Sequence, residues 1–306
     1  MLRFLAALLA LTPLPACAQA PTQPAPQPTK AAAATPGDAD PALWVVKDED
    51  TTVYLFGTIH LLKPGLSWFD EAVKAAFDKS DTLVTEIVAP DDAAMKALVA
   101  RVGAAAPDAP PLSQRIPADK RAAYDAALKK LGVPAAAFDR LKPWLAAVTV
   151  SMAPLQSMGY DGANGPEQVL EAAAKAQGKK ELGLETAEQQ FGYFDSLSES
   201  AQIGFLTSTI EELPNMGPLI ERMVTDWAEG DPDGLAAEMN DNLKDEPEVA
   251  EKILYARNRT WAGWIAERMK QPGTVFMAVG AGHLAGAGSV QERLRERGIT
   301  AERVRY

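Results

Sequence analysis

The chain is poor in the residue types that build most metal and nucleophile sites. It has one cysteine, Cys17, and two histidines, His60 and His283. A lone cysteine excludes an intrachain disulfide framework and Cys-rich zinc or iron–sulfur centres. Positive charge is also short, with 30 basic against 41 acidic residues and a net charge of −11. A nonspecific nucleic-acid binder needs basic surface to meet phosphate, so that class is set aside. No apolar run beyond the N-terminus reaches the roughly 18–20 residues that span a bilayer. Several catalytic signatures are missing: HExxH, GxxxxGK[ST], and a GxSxG to accompany either histidine. Gly280–Gly286 reads GxGxxxG rather than GxGxxG, too near the C-terminus for the rest of a dinucleotide-binding half. What remains is a chain with hydrophobic content of 47%, enough for a sizeable core in one large domain or two small ones.

The N-terminus reads as an export signal. Met1-Leu2-Arg3 is a short basic start, Phe4–Leu14 an apolar core, and Ala18-Gln19-Ala20 an A-x-A cleavage site, so residues 1–20 are expected to be a signal peptide. Leu14-Pro15-Ala16-Cys17 also resembles a bacterial lipobox, in which Cys17 is lipidated and becomes the new N-terminus. Both alternatives export the chain, to the periplasm or to an envelope-anchored lipoprotein, with membrane contact only through that lipid. Residues 21–41 are rich in Pro, Ala, Thr and Gln and read as a disordered tether. The folded domain is expected over 42–306.

Short β-rich runs at Leu43–Val46 and Thr52–Phe56, with Lys47–Asp50 between them, predict a hairpin. Trp68–Lys79 predicts a helix and Thr82–Val88 a strand. Residues 91–176 are mostly helical, Lys179–Leu184 is a short strand, and Thr186 with Gln189 forms a capping box that starts the next helix. Helical signal continues through most of 187–270. A strand at Thr274–Val279, a helix at Ser289–Arg297 and a last strand at Thr300–Arg305 close the chain. Strands thus gather at both ends. The fold class expected is α/β, with a central mixed sheet joining the N- and C-terminal strand units and a large helical insertion.

Both histidines stand three residues after a glycine, in Gly57…His60 and Gly280…His283, and both patterns follow an apolar strand. A glycine at a strand end permits a sharp turn that aims the imidazole over the sheet edge, where α/β proteins place ligands. Two such turns on neighbouring strands would bring the rings together as metal ligands. The alternative is two unrelated histidines satisfied by backbone hydrogen bonds.

Carboxylates would have to complete such a site. Glu86 lies inside a strand with Val84 and Val88 on its face, where a carboxylate is costly without a partner; otherwise it is an exposed edge-strand acid. Glu185 lies between strand and capped helix, as a site residue or as a favourable charge at a helix N-terminus. Asp161, in Gly159-Tyr160-Asp161-Gly162, is a third candidate or a turn residue. Arg257 and Asn258 could bind a substrate carboxylate or oxyanion, or lie on a solvated helix face with Trp261 and Trp264 packed beneath.

Taken in order, Leu55–His60, Glu86, Gly183-Leu184-Glu185-Thr186 with Gln189, Arg257-Asn258 and Val279–Leu284 resemble the TraB/PrgY/GumN family, related to the Tiki metalloproteases. The resemblance spans about 43–305. It implies an α/β fold of the Tiki, erythromycin-esterase and ChaN-like kind, with the two GxxH turns meeting at one cleft. The Tiki-like proteins that the chain resembles are described as metal-dependent peptidases that use paired GxxH motifs and a glutamate, with manganese or cobalt supporting activity. The expectation drawn is a divalent-metal hydrolase, peptidase-like, acting on a peptide or small-molecule substrate in the bacterial cell envelope. His60 and His283 would hold the ion (Mn, Co or Zn), one of Glu86 and Glu185 would be a further ligand, and the other would accept the proton of bound water. The alternative class is a binding protein that sequesters a peptide, a metal or haem in the same cleft, and a third is an envelope scaffold.

Overall fold

The computed structural model describes residues 37–240, 243 and 246–306. The signal segment, Cys17 and most of the tether lie outside the described residues. The chain is already in strand pairing at β1 (Gly37–Asp38), upstream of the boundary expected at Ala42.

Six strands make the central sheet: β2 (Leu43–Lys47), β3 (Thr51–Thr58), β5 (Thr82–Ile87), β6 (Lys180–Glu185), β7 (Gly273–Gly280) and β8 (Glu302–Val304). Their spatial order is β6-β5-β7-β3-β2-β8. The four strands from β6 to β3 are parallel; β2 is antiparallel to β3 and to β8. A separate two-stranded ladder joins β1 to β4 (Leu66–Ser67). The protein is therefore α/β with a mixed sheet, and its two chain ends meet where β7 inserts between β3 and β5.

Period-two alternation sorts the strand residues onto two buried faces. Val53, Leu55, Val84, Val275, Met277 and Val279 share one core with Trp261 and Ile265 of the Ala256–Arg268 helix and with Leu294. Phe56, Leu83, Ile87, Phe276 and Ala278 face the other way, into a larger core supplied by the helical segments. Phe56 stacks on Trp68 with ring centroids 5.5 Å apart and meets Phe276 at 5.7 Å. Both faces of the parallel strands are thus covered, which is why β7 reads as a continuous apolar run.

The helices that bear on the site start where local chemistry says they should. Thr186 and Gln189 form the capping box at the head of the Ala187–Asp195 helix. Pro166 opens the Pro166–Gln177 helix, where its missing N–H costs nothing, and Gly178 ends it in the left-handed conformation. The predicted helix from Trp68 begins only at Glu71, because Trp68 and Phe69 are spent on the aromatic core. Residues Ala250–Tyr255 form a π-helical turn that runs straight into the Ala256–Arg268 helix. No helix among the described residues is long and apolar enough to cross a membrane.

Candidate functional site

The C-terminal ends of four parallel strands lie side by side, and each delivers one candidate side chain. β3 and β7 are in register at Gly57↔Val279 and Thr58↔Gly280, so the two GxxH turns leave adjacent strands from the same level. The glycines act by close approach rather than by a left-handed backbone, since neither Gly57 nor Gly280 has positive φ. A Cβ on Gly57 would stand 3.0 Å from the Cα of Ala281, inside the second turn. The Gly57 carbonyl accepts a 2.7 Å hydrogen bond from the indole of Trp227, fastening the strand end to the helical layer.

His60, Glu86, Glu185, Arg257, Asn258 and His283 are all buried, at 8% exposure or less. The edge-strand alternative for Glu86 does not hold: β5 is flanked by β6 and β7, and Glu86 points to the face covered by the Ala256–Arg268 helix. Nor do Arg257 and Asn258 lie on a solvated face. Asp161 caps its own turn, accepting from the Ala163 N–H at 2.9 Å, and takes no part in the cluster.

Arg257 occupies the middle. Its Nε donates to Glu185 Oε1 at 2.9 Å, and its Nη2 to Glu185 Oε2 at 2.9 Å and Glu86 Oε2 at 2.6 Å. Its Nη1 reaches Ile253 O at 3.1 Å and His283 Nε2 at 3.0 Å. The guanidinium carbon lies over the Trp261 ring, 4.6 Å from its centroid, and over the Tyr193 ring at 5.5 Å. All five N–H groups of the guanidinium are thereby used inside the protein.

The same contacts settle the His283 tautomer. Arg257 can only donate, so Nε2 accepts and Nδ1 carries the proton, which it donates to Asn258 Oδ1 at 2.5 Å. The Asn258 amide is oriented in turn by donating from Nδ2 to Gly288 O at 2.8 Å. Burial and the Arg257 charge push His283 well below the ordinary imidazole value, so this ring is neutral. Trp261 packs against it at 4.3 Å.

Glu86 accepts from Gly280 N at 2.8 Å, from Gln190 Nε2 at 2.8 Å and from Arg257. Burial works to raise its pKa, but the charge of Arg257, with smaller pulls from His60 and the Gly280 N–H, brings it below the usual carboxylate range. For Glu185 burial wins, with the Glu86 charge adding to it, and its pKa is raised despite Arg257 and the Trp261 indole at 3.1 Å.

His60 lives differently. Its Nδ1 faces Glu167 Oε1 at 2.5 Å, a contact that becomes an ion pair when the ring is protonated. Its Nε2 has no hydrogen-bond partner among the described residues. Burial alone would depress the imidazole; Glu167 overrides it and raises the pKa, with a smaller push from Glu86. The Glu167 pKa is lowered against the pull of burial, chiefly by the charge of His60. The turn after His60 pairs with the Asp161 turn, through Leu62 N–H to Asp161 O and Asp161 N–H to Leu62 O, and Gly165 packs on the His60 carbonyl. That packing brings the first turn of the Pro166–Gln177 helix, and Glu167 with it, to the ring.

Sequence reasoning missed Glu167, Gln190 and Tyr193. An acid in the first turn of a proline-started helix reads as an ordinary dipole charge. Gln190 and Tyr193 face the site only because the capped Ala187–Asp195 helix docks there, a relation that no local pattern announces.

A divalent ion held by His60, His283 and a carboxylate does not fit this arrangement. His283 Nε2 and both carboxylates are turned onto a guanidinium. Among the described residues, no group of three or more His, Cys, Asp or Glu side chains is placed to hold a metal.

Comparison with known proteins locates the chain. The model of the TraB/PrgY/gumN family matches residues 42–303. The chain is similar to the uncharacterized protein YbaP of Escherichia coli strain K12, 22% identical over 256 residues that cover 83% of this chain and 92% of the relative. The YbaP of Shigella flexneri matches to the same extent. No solved structure matches the chain.

Proposed function

Since the chain belongs to the TraB/PrgY/gumN family, we propose that it is a hydrolase of the bacterial cell envelope, peptidase-like in its chemistry, with His60 as the general base. The observation that carries this reading is the His60 ring: buried, set against Glu167 on one nitrogen and, among the described residues, without a hydrogen-bond partner on the other. In the neutral form, reached above its raised pKa, the ring keeps its proton on Nδ1 toward Glu167, and Nε2 takes the proton of a water attacking a substrate carbonyl and returns it to the leaving amine. Glu167 stabilises the imidazolium that results, as the carboxylate does in acid–base triads. Glu86 adds negative charge behind it. The envelope location rests on the export signal of residues 1–20, with Cys17 as the alternative lipid anchor.

Manganese, cobalt or zinc is the cofactor that the family resemblance implies. The side chains as arranged do not offer it three converging donors, so no step of this mechanism is routed through a metal. Asn258 serves by holding the His283 tautomer, and Arg257, with every N–H committed, has none left for substrate.

The test is cleavage of a peptide mixture by the wild-type chain, His60→Ala and Glu167→Gln. Turnover should fall about 10²–10⁴-fold in His60→Ala, the usual worth of a positioned base, and less in Glu167→Gln. Equal turnover in all three would end the proposal. Tight retention of peptide by the wild type, with no product after long incubation, would favour sequestration instead.

A further inference from the structure

The cluster around Glu86, Glu185 and His283 looks from its composition like a metal site, yet its acceptors are arranged in another way. Metal donors converge on a point, about 2.0–2.2 Å from it for carboxylate and imidazole on zinc. Here the acceptors are spread around a plane. Glu185 faces the Nε/Nη2 edge of Arg257 with both oxygens, Glu86 takes the remaining Nη2 hydrogen, and His283 and Ile253 O take the two on Nη1. That is a fork pattern matched to guanidinium.

Three further features serve this group and no metal. Arg257 lies over the rings of Trp261 and Tyr193, where a delocalised cation gains from ring quadrupoles. The π turn Ala250–Tyr255 supplies Ile253 O as an acceptor four residues before Arg257, and such turns recur at functional sites. Gln190 and Gly280 N–H take lone pairs on Glu86 that a metal would otherwise use. Bringing a divalent ion into this cluster would place two cations against each other at hydrogen-bond range.

We infer that the guanidinium of Arg257 is the resident cation of this cluster, standing where Glu86, Glu185 and His283 would otherwise hold a divalent metal. It supplies the positive charge that permits two carboxylates to be buried at the C-terminal edge of the sheet. The inference does not rest on the hydrolase reading, because its test measures ion binding and unfolding and leaves turnover aside.

The experiment is equilibrium dialysis of the full chain against Mn²⁺ or Zn²⁺, followed by metal analysis, and thermal unfolding with and without the ion. Wild type, His283→Ala, Glu86→Gln and Arg257→Ala are compared. The wild type should take up no ion that depends on His283 or Glu86, and its Tm should not move with metal or chelator. Arg257→Ala, freed of its cation, should bind the ion at least tenfold more tightly than the wild type and gain Tm on its addition. An ion bound undiminished by His283→Ala and Glu86→Gln lies elsewhere and agrees with the inference. One equivalent bound by the wild type and lost in both variants overturns it. Should Arg257→Ala fail to fold, the other three chains still decide the matter.

Discussion

The two GxxH turns share a sequence signature, leave neighbouring strands at one level, and end in opposite chemical states. The second turn puts His283 into a network in which both ring nitrogens are engaged, one by Arg257 and one by Asn258. The first, among the described residues, leaves His60 Nε2 unpartnered and gives its other nitrogen to a single carboxylate. Burial presses on both rings alike, yet one pKa is lowered and the other raised. The difference is which charge comes nearest: a cation beside His283, an anion beside His60. A saturated network of this kind holds a shape, whereas an unsatisfied buried nitrogen is where a reacting molecule can be accepted.

This contrast can be broken most directly at Arg257. Replacing it by methionine leaves two buried carboxylates uncompensated and should cost about 3–5 kcal/mol in denaturant unfolding. Lysine should restore little of this, since a point charge cannot serve five acceptor directions. Wild-type stability in Arg257→Met would show that the second turn is no structural network.

A smaller effect is expected at the hinge between the two turns and the helical layer. A Cβ at Gly165 would stand 2.3 Å from His60 O and 3.0 Å from Gly162 O. Gly165→Ala must therefore shift the start of the Pro166–Gln177 helix, at about 1–3 kcal/mol by the usual cost of overpacking. It should lower turnover more than it lowers the stability of the Arg257 network, read as a fall in rate at temperatures where the variant stays folded. Turnover and stability unchanged in this variant would mean that Glu167 is not delivered by that contact.

The smallest effect is a pH dependence of stability. His60 has its folded pKa raised, so its contribution is fully present below the ordinary histidine value of about 6.5 and fades as pH rises through the folded value. Glu167 has its folded pKa lowered, so its contribution is present above the ordinary carboxylate range and fades on acidification. The stability gap between wild type and Glu167→Gln should thus be widest between these limits, at mildly acidic pH, and narrow toward alkaline pH. A gap that widens as pH rises past neutrality would contradict a protonated His60 paired with Glu167.

Much of the fold was legible because strands and capped helices are local. Short β-rich runs marked β2 and β3, a continuous apolar run marked β7, and Thr186 with Gln189 marked a helix start to the residue. The carboxylate at Glu86 was legible as a problem, an acid between valines that needed a partner. The partner itself was not, since the pairing with Arg257 joins positions 171 apart. The physical role of Gly57 also changed: its φ is unexceptional, and its missing Cβ matters because Ala281 crosses within contact distance.

Patterning along the chain determined that an α/β fold with a mixed sheet would form and that both histidines would stand at strand ends, because hydrophobic period and turn chemistry act over a few residues. Whether each ring would then meet a cation, an anion or nothing was decided only by tertiary packing. Charges separated by scores of residues are brought within 3–4 Å only when the sheet order and helix docking are complete. At that range in a buried setting, the identity of the nearest neighbour outweighs everything that the local sequence can specify.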